Sequence, residues 1–371
     1  MCRTATDGGH LASLVHDAIA LCQAAQQQLP VRTGPGRPGT YKQWQLAVLI
    51  FIAIVHKRKS KSSQWQFLAE HQSELLKQFG DRLELDERFP SRATYMDRYA
   101  QAYALYEQAI ERQGRKALAE HACCAKVVAA DKSIVAAKGP PYHKHQQRKG
   151  TPDAGTDTQA AWGYSPHDGW VWGYSYEVVV CATKNHVVFP LLASANTASC
   201  NEHKSFLTKV PRLPKSVRYV LADGGYDDND IAEAIERRPG RRHTAHGKSS
   251  RRRRCRRRFV CPLQSRGGKP AVGQVVHRGR RERRRQHRAS RDQFNRSDYG
   301  RRLYKLRSRT VEPFNQWFKH LFELEDRVWH RGLGNNRTMF LAAIFAYQLL
   351  LRHSLKSGRR DGCIQWLMDA L

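Results

Sequence analysis

Apolar residues recur at helical spacing through the first third of the chain and then give way to short alternating runs. Leu11, Leu14, Val15, Ala18, Ile19 and Leu21 repeat every three to four positions, which predicts a helix ending near Gln28. The nearly unbroken apolar run over residues 44–55 predicts a helix buried on all sides. Trp65, Phe67, Leu68, Leu75, Leu76 and Phe79 carry the period through residues 62–79, and residues 105–124 continue it. Between these, Ser91 stands where an N-cap belongs, ahead of a helix whose first turns display Arg92, Thr94, Tyr95 and Arg98. That helix is the candidate recognition helix of a helix-turn-helix unit, with Arg92 and Arg98 as candidate DNA contacts.

From Lys126 the pattern changes to strands. Small and β-branched residues between Lys126 and Asp131 predict a buried strand that ends on a carboxylate. Residues 161–164 and 169–182 read as a hairpin turning at Pro166, His167, Asp168 and Gly169. A strand over 186–193, a helix over 202–210 and a second strand ending in an acid, 219–222 before Asp223, follow in order. Gly224 and Gly225 then permit a tight turn. Such an order suits an α/β fold, a mixed sheet with helices on its faces. Further on, Val311, Phe314, Phe318, Leu321 and Phe322 predict a long helix from Leu303 that carries Glu312. Pro313 fits there only in a first turn or at a kink. The apolar stretch 339–351 predicts a final core helix.

Charge changes the picture. The 371 residues carry a formal net charge of +31, which points to a polyanionic partner, nucleic acid first. A membrane surface is the competitor, but the runs over 46–55 and 340–351 are too short to span a bilayer and read as core helices. The first ten residues hold no apolar core or cleavage-like site, so the expected location is the cytoplasm. Residues 236–302 are dominated by arginine; like charges repel, so this insert is expected to be partly disordered without a polyanion and to bind DNA backbone. Compositional drift is the bland alternative. Only 259–263 and 272–276 are expected to add short strands there. The Gly-Pro-Gly-Arg-Pro-Gly segment at 34–39 resembles arms that lie in the minor groove of A·T-rich DNA, or is an interhelical loop. The nine cysteines form no disulfide framework, and His243, His246, Cys255 and Cys261 match no common zinc spacing. The chain therefore divides into a helical region expected to bind DNA (1–120), a part of alternating strands and helices (121–235), the arginine-rich insert (236–302) and a C-terminal helical part (303–371).

Two acids at strand ends and one on a helix, Asp131, Asp223 and Glu312, form a candidate site for divalent metal. With them, the chain resembles bacterial insertion-sequence transposases with a DDE catalytic domain of the RNase H-like fold. Ala222-Asp223-Gly224-Gly225-Tyr226-Asp227 is similar to the block around the second catalytic aspartate of that family. Tyr304, an arginine, Glu312 and Lys319 are similar to its Tyr, Arg, Glu, Lys signature; Arg307 or Arg309 fills the arginine position. The resemblance implies that Asp131, Asp223 and Glu312 hold two Mg²⁺ ions, with Mn²⁺ able to substitute, about 4 Å apart for in-line phosphoryl transfer. It further implies that Tyr304, Arg307 or Arg309, and Lys319 contact double-stranded DNA at the element's inverted repeats, and that a homodimer forms on DNA. Trp162, Trp170 and Trp172 either stack on an extruded base or pack on the sheet. The competing functions are a transposase-derived DNA-binding protein without catalysis and an RNase H-like nuclease without strand transfer.

Overall fold

The computed structural model describes residues 7–30, 41–85, 87–182, 188–236, 257–264, 279–359 and 362–371. The 34–39 segment, the arginine run over 250–256, the expected strand at 272–276, and His243, His246 and Cys255 lie outside the described residues. Helices α1 (Asp7–Gln26), α2 (Gln43–Val55), α3 (Lys61–Glu70), α4 (Gln72–Leu83), α5 (Arg92–Tyr99) and α6 (Tyr103–Ala119) come first. Helix α2 is buried from Trp44 to Val55, as its unbroken apolar run requires. The helix expected over 62–79 is two helices, because exposed Ala69, Glu70, His71, Ser73 and Glu74 leave no apolar position to hold the junction against the core. Ser91 caps α5, its side chain accepting from the Thr94 amide.

The sheet contains β1 (Val127–Ala136), β2 (Ala161–Ser165), β3 (Gly169–Ala182), β4 (Val188–Thr197), β5 (Tyr219–Leu221) and β6 (Arg258–Val260). Strand β3 runs antiparallel to β1, β2 and β4, whereas β1, β5 and β6 are mutually parallel. The order β4-β3-β1-β5-β6, with β2 folded back on the start of β3, is the RNase H-like arrangement that the resemblance implied. A short helix, α7 (Lys144–Lys149), lies between β1 and β2; α8 (Glu202–Lys209) crosses from β4 to β5, and α9 (Asn229–Glu236) from β5 to β6. Strand β6 lies inside the arginine-rich stretch and forms the fifth position of the sheet.

Asp131 does not end its strand. Strand β1 continues to Ala136 because β3 pairs with it as far as Gly173, while β5 pairs only with Val127, Val128 and Ala129. Asp131 therefore sits just past the point where the parallel neighbour stops and the sheet opens. Helices α10 (Arg280–Arg296), α11 (Asp298–Ser308), α12 (Val311–Leu321), α13 (Leu333–Lys356) and α14 (Gln365–Asp369) complete the chain. The expected continuous helix through Leu303 and Glu312 breaks between α11 and α12, and Pro313 falls in the first turn of α12, where its missing N–H has no intrahelical partner to lose. Helix α13 is long and apolar enough to cross a bilayer, but 89% of its apolar window is buried in the fold. It packs against α6, α2 and β4, so the N-terminal helices share one core with the sheet. The approach of α6 to β4 is close: a Cβ on Gly114 would stand 2.9 Å from the Leu191 carbonyl oxygen. Buried Arg352 of α13 then ties this layer together, donating to Asp17 of α1 at 2.7 Å and to Glu120 after α6 at 2.6 Å.

Candidate active site

Three separate parts of the chain deliver the three acids to one place. Asp131 comes from the open part of β1, Asp223 from the turn after β5, and Glu312 from the first turn of α12. They meet around one guanidinium. Arg307 Nη2 lies 2.8 Å from Asp131 Oδ1 and 3.8 Å from Asp223 Oδ2, and Nη1 lies 3.4 Å from Glu312 Oε1. Arg307 and Asp131 are largely buried, with side-chain exposures of 14% and 12%, while Glu312 is 58% exposed. Of the two arginines left open by spacing, Arg307 faces the acids and Arg309 is exposed to solvent.

Asp131 and Asp223 are positioned by neighbours. Asn315, one helical turn beyond Glu312, donates to Asp131 Oδ2 at 2.8 Å and accepts from the Tyr176 hydroxyl at 3.0 Å. Asp223 Oδ1 accepts from the Gly225 amide at 2.9 Å, so the acid braces its own turn. Cys261 Sγ donates to the Asp223 carbonyl, tying that turn to the end of β6. Burial pushes the Asp131 carboxyl up to about 6, against the downward pull of Arg307; nearby Asp223 adds to the rise. Glu202, at the start of α8, forms a fourth acidic neighbour: a Cβ on Gly225 would lie 2.6 Å from Glu202 Oε2 and 3.0 Å from Asp223 Oδ1. Lys132, next to Asp131 in sequence, lies 3.4 Å from Glu202 Oε1. Burial, then repulsion from Asp223, raises the Glu202 carboxyl, while Lys132 lowers it.

Under this ring lies a buried polar cluster. Glu177 of β3 receives bonds from Tyr226 at 2.9 Å, from Ser205 at 2.5 Å and from the Lys209 ammonium, and all but Ser205 are buried. Since Tyr226 closes the Asp223 turn, this cluster sets the height of the second acid above the sheet.

Other residues singled out from sequence fall as follows. Tyr304 is half-buried one turn before Arg307, with its hydroxyl's ionisation disfavoured chiefly by burial. Lys319 donates to the Ile134 carbonyl at 3.1 Å, and burial lowers its pKa. Arg92 is exposed on α5, whereas Arg98 donates to the Tyr41 carbonyl and to Gln43 Oε1. Asn315 and Glu202 escaped sequence reasoning. Asn315 shares the Glu312 face at i, i+3 and was in principle visible; Glu202 opens a helix, where an acid is ordinary. A second group, His203, Asp228 and Asp230, brings its ligand atoms within 4.8 Å of one another, but Asp228 caps α9 and Asp230 pairs with Arg284 at 2.7 Å.

The donor set fits a hard divalent cation: three convergent carboxylates with an amide beside them already surround one positive group. The transposase DDE domain model matches residues 122–349, which contain all three acids. No curated protein matches the chain. Among solved structures, it is similar to a piggyBac transposase in a synaptic complex with hairpin DNA, at 9% identity and a TM-score of 0.37, over 96% of this chain and 76% of that one.

Proposed function

Because this chain belongs to the transposase DDE domain family, we propose that it cuts DNA at the ends of a mobile element and joins the freed 3′-hydroxyls to target DNA. The observation that carries this reading is the convergence of Asp131, Asp223 and Glu312 on a single cation-sized place occupied by Arg307. Asp131, Asp223 and Glu312 would hold magnesium, with manganese able to replace it. When bound, the metal supplies activation of the attacking oxygen and stabilisation of the leaving oxygen. Asn315 keeps the Asp131 carboxylate turned toward the opening, and the Gly225 amide does the same for Asp223. Arg307, which lies among the acids here, is assigned to the DNA phosphate at the cleavage site. Tyr304 and Lys319 are assigned to the phosphates flanking the cut, and exposed Arg92 to backbone farther out. Two copies act together on paired inverted repeats, in the cytoplasm.

The test is cleavage and joining of a labelled duplex bearing the element's own terminal repeat, with Mg²⁺ or EDTA. Asp131→Asn, Asp223→Asn and Glu312→Gln should each abolish both steps while leaving DNA affinity intact. Full cleavage by Asp131→Asn refutes the assignment. Cleavage without joining would leave a nuclease, and tight binding without cutting would leave a DNA-binding protein.

A further inference from the structure

One face of the β2–β3 hairpin carries an aromatic ladder that the acid site does not use. In β2, Trp162 and Tyr164 share a face; in β3, Trp170 and Trp172 share it, and the register pairs Trp162 with Trp172 and Tyr164 with Trp170. Each pair meets edge to face with centroids 5.6 Å apart. The inner pair is packed, with Tyr142 against Trp172 at 6.2 Å and the Trp162 indole donating to the Tyr142 carbonyl. The outer pair is bare: Tyr164 is 60% and Trp170 69% exposed, two of the four large exposed apolar side chains among the described residues. Side chains of this size are kept in water at a cost, and a paired exposed set marks a binding surface.

Its surroundings select the partner. Strand pairing sets Asp131 opposite Val178, and Trp170 lies an even eight residues before Val178 on β3, so the ladder and the first catalytic acid share one face of the sheet. At the base of the ladder, His143 stands 5.8 Å from Trp162 and leads into α7, where Lys144, Arg148 and Lys149 are exposed and no acid is present. Cations that track phosphates beside aromatic faces that accept bases are the combination used to hold unstacked nucleic acid. We infer that Tyr164, Trp170 and α7 form a second DNA contact on the same molecule, with α7 on the backbone and the aromatic pair stacked on locally unpaired bases. Eight residues of strand at ~3.3 Å each set the pair ~26 Å from Asp131, which is ~8 base pairs at ~3.4 Å each. The inference rests on the reading of the chain as a DNA-cutting enzyme and adds a place and a distance to it.

The experiment uses the full chain and a duplex with the terminal repeat, in which 5-iododeoxyuridine replaces single thymidines at successive positions. Photocrosslinks to the peptide holding residues 161–173 are expected to peak ~8 base pairs from the cut bond. The double variant Tyr164→Ser/Trp170→Ser should lose this crosslink and bind ~10-fold more weakly, the loss of about one stacked base. Lys144→Gln/Lys149→Gln should reduce the slope of log affinity against log salt by ~2. All four side chains are exposed, and equal melting temperatures establish that the variants are folded. Wild-type binding with unchanged variant affinities and no crosslink to the hairpin overturns the inference while leaving the proposed function standing. Loss of self-association instead of DNA affinity also overturns it, assigning the face to a second copy. Failure of the wild type to bind the duplex sinks both.

Discussion

Replacing Arg307 by Met would show whether its guanidinium occupies the place proposed for the metal ion. Only one of its three contacts is both short and shielded, the 2.8 Å pair with Asp131, whose partners are 14% and 12% exposed. The contact to Glu312 is 3.4 Å with that side chain 58% exposed, and the one to Asp223 is 3.8 Å with 39% exposed, so screening leaves them little energy. Breaking the Asp131 pair strands a mostly buried carboxylate, at ~3 kcal/mol. With an unfolding entropy near 2.1 cal/mol/K per residue, a chain of 371 residues has ~0.8 kcal/mol/K, so the melting temperature in EDTA should fall by ~4 °C. In the same variant, a metal ion no longer has to displace an internal cation. Titration at pH 8 should therefore show Mn²⁺ binding tightened by ~10-fold or more, and saturating Mn²⁺ should restore ~2.7 kcal/mol or more at a hundred times its dissociation constant. DNA cleavage should fall nonetheless, because the guanidinium is lost to phosphate. Arg307→Lys keeps the charge without the planar fork and should lie between the two. A variant that melts with the wild type in EDTA and binds Mn²⁺ no more tightly would show that the guanidinium neither stabilises Asp131 nor stands in the metal's place.

Four further outcomes are expected. Gly225→Ala places a Cβ 2.6 Å from Glu202 Oε2 and 3.0 Å from Asp223 Oδ1, so it should weaken Mn²⁺ binding by ~10-fold with DNA affinity unchanged, measured by titration and fluorescence anisotropy. Asn315→Ala frees Asp131 Oδ2 and should slow cleavage by ~10–100-fold at constant DNA affinity, read in a single-turnover assay. Lys209→Met leaves Glu177 buried without its cation and should cost ~3–5 kcal/mol in urea denaturation, most of it regained in Lys209→Met/Glu177→Met. Burial lowers the pKa of His330 from 6.5 to about 3, so the unfolded chain takes up its proton first. This residue's stability contribution is complete above pH ~6.5 and is lost as pH falls toward ~3, by ~1.4 kcal/mol per unit; urea midpoints of His330→Gln between pH 7 and 5 should show a shallower slope.

The fold was most legible where periodicity and burial agree. Helix α2 and the β2–β3 hairpin appear where apolar runs and turn residues place them, and Ser91 caps α5. Strand ends were less legible, since they depend on the partner. Nothing local to residues 127–136 says that β5 stops at Leu221 while β3 continues, yet that difference is what opens the sheet beside Asp131. The acids themselves could be read because buried runs deliver two of them. Their supports could not: Glu202 is 71 positions from Asp131 in sequence and reaches the site only through the β4–α8 crossover. The choice between Arg307 and Arg309 likewise needed the break between α11 and α12, which turns one arginine inward and leaves the other in solvent.

The arginine-rich stretch shows why charge alone does not identify a binding surface. Like charges are expected to leave parts of this insert disordered without a polyanion; the part over residues 280–296 is α10, a helix of 17 residues. The reason is a facing row of acids. Arg284 pairs with Asp230 at 2.7 Å and Glu233 at 2.8 Å, His287 with Glu236 at 2.7 Å, and Arg288 with Asp227 at 2.7 Å, so α10 docks along α9 and the turn after Asp223. Arg291 is also buried there, with its guanidinium over Phe259 of β6. These cations are spent inside the molecule. Because Asp227 lies four residues after Asp223, they hold the end of the second acid's turn, whose Tyr226 is held in turn by Glu177. Arg288→Gln should therefore disturb metal binding at Asp223 while leaving the salt dependence of DNA binding as it is, the reverse of what a phosphate contact would do. A reduced salt slope with unchanged Mn²⁺ affinity would return α10 to the DNA surface.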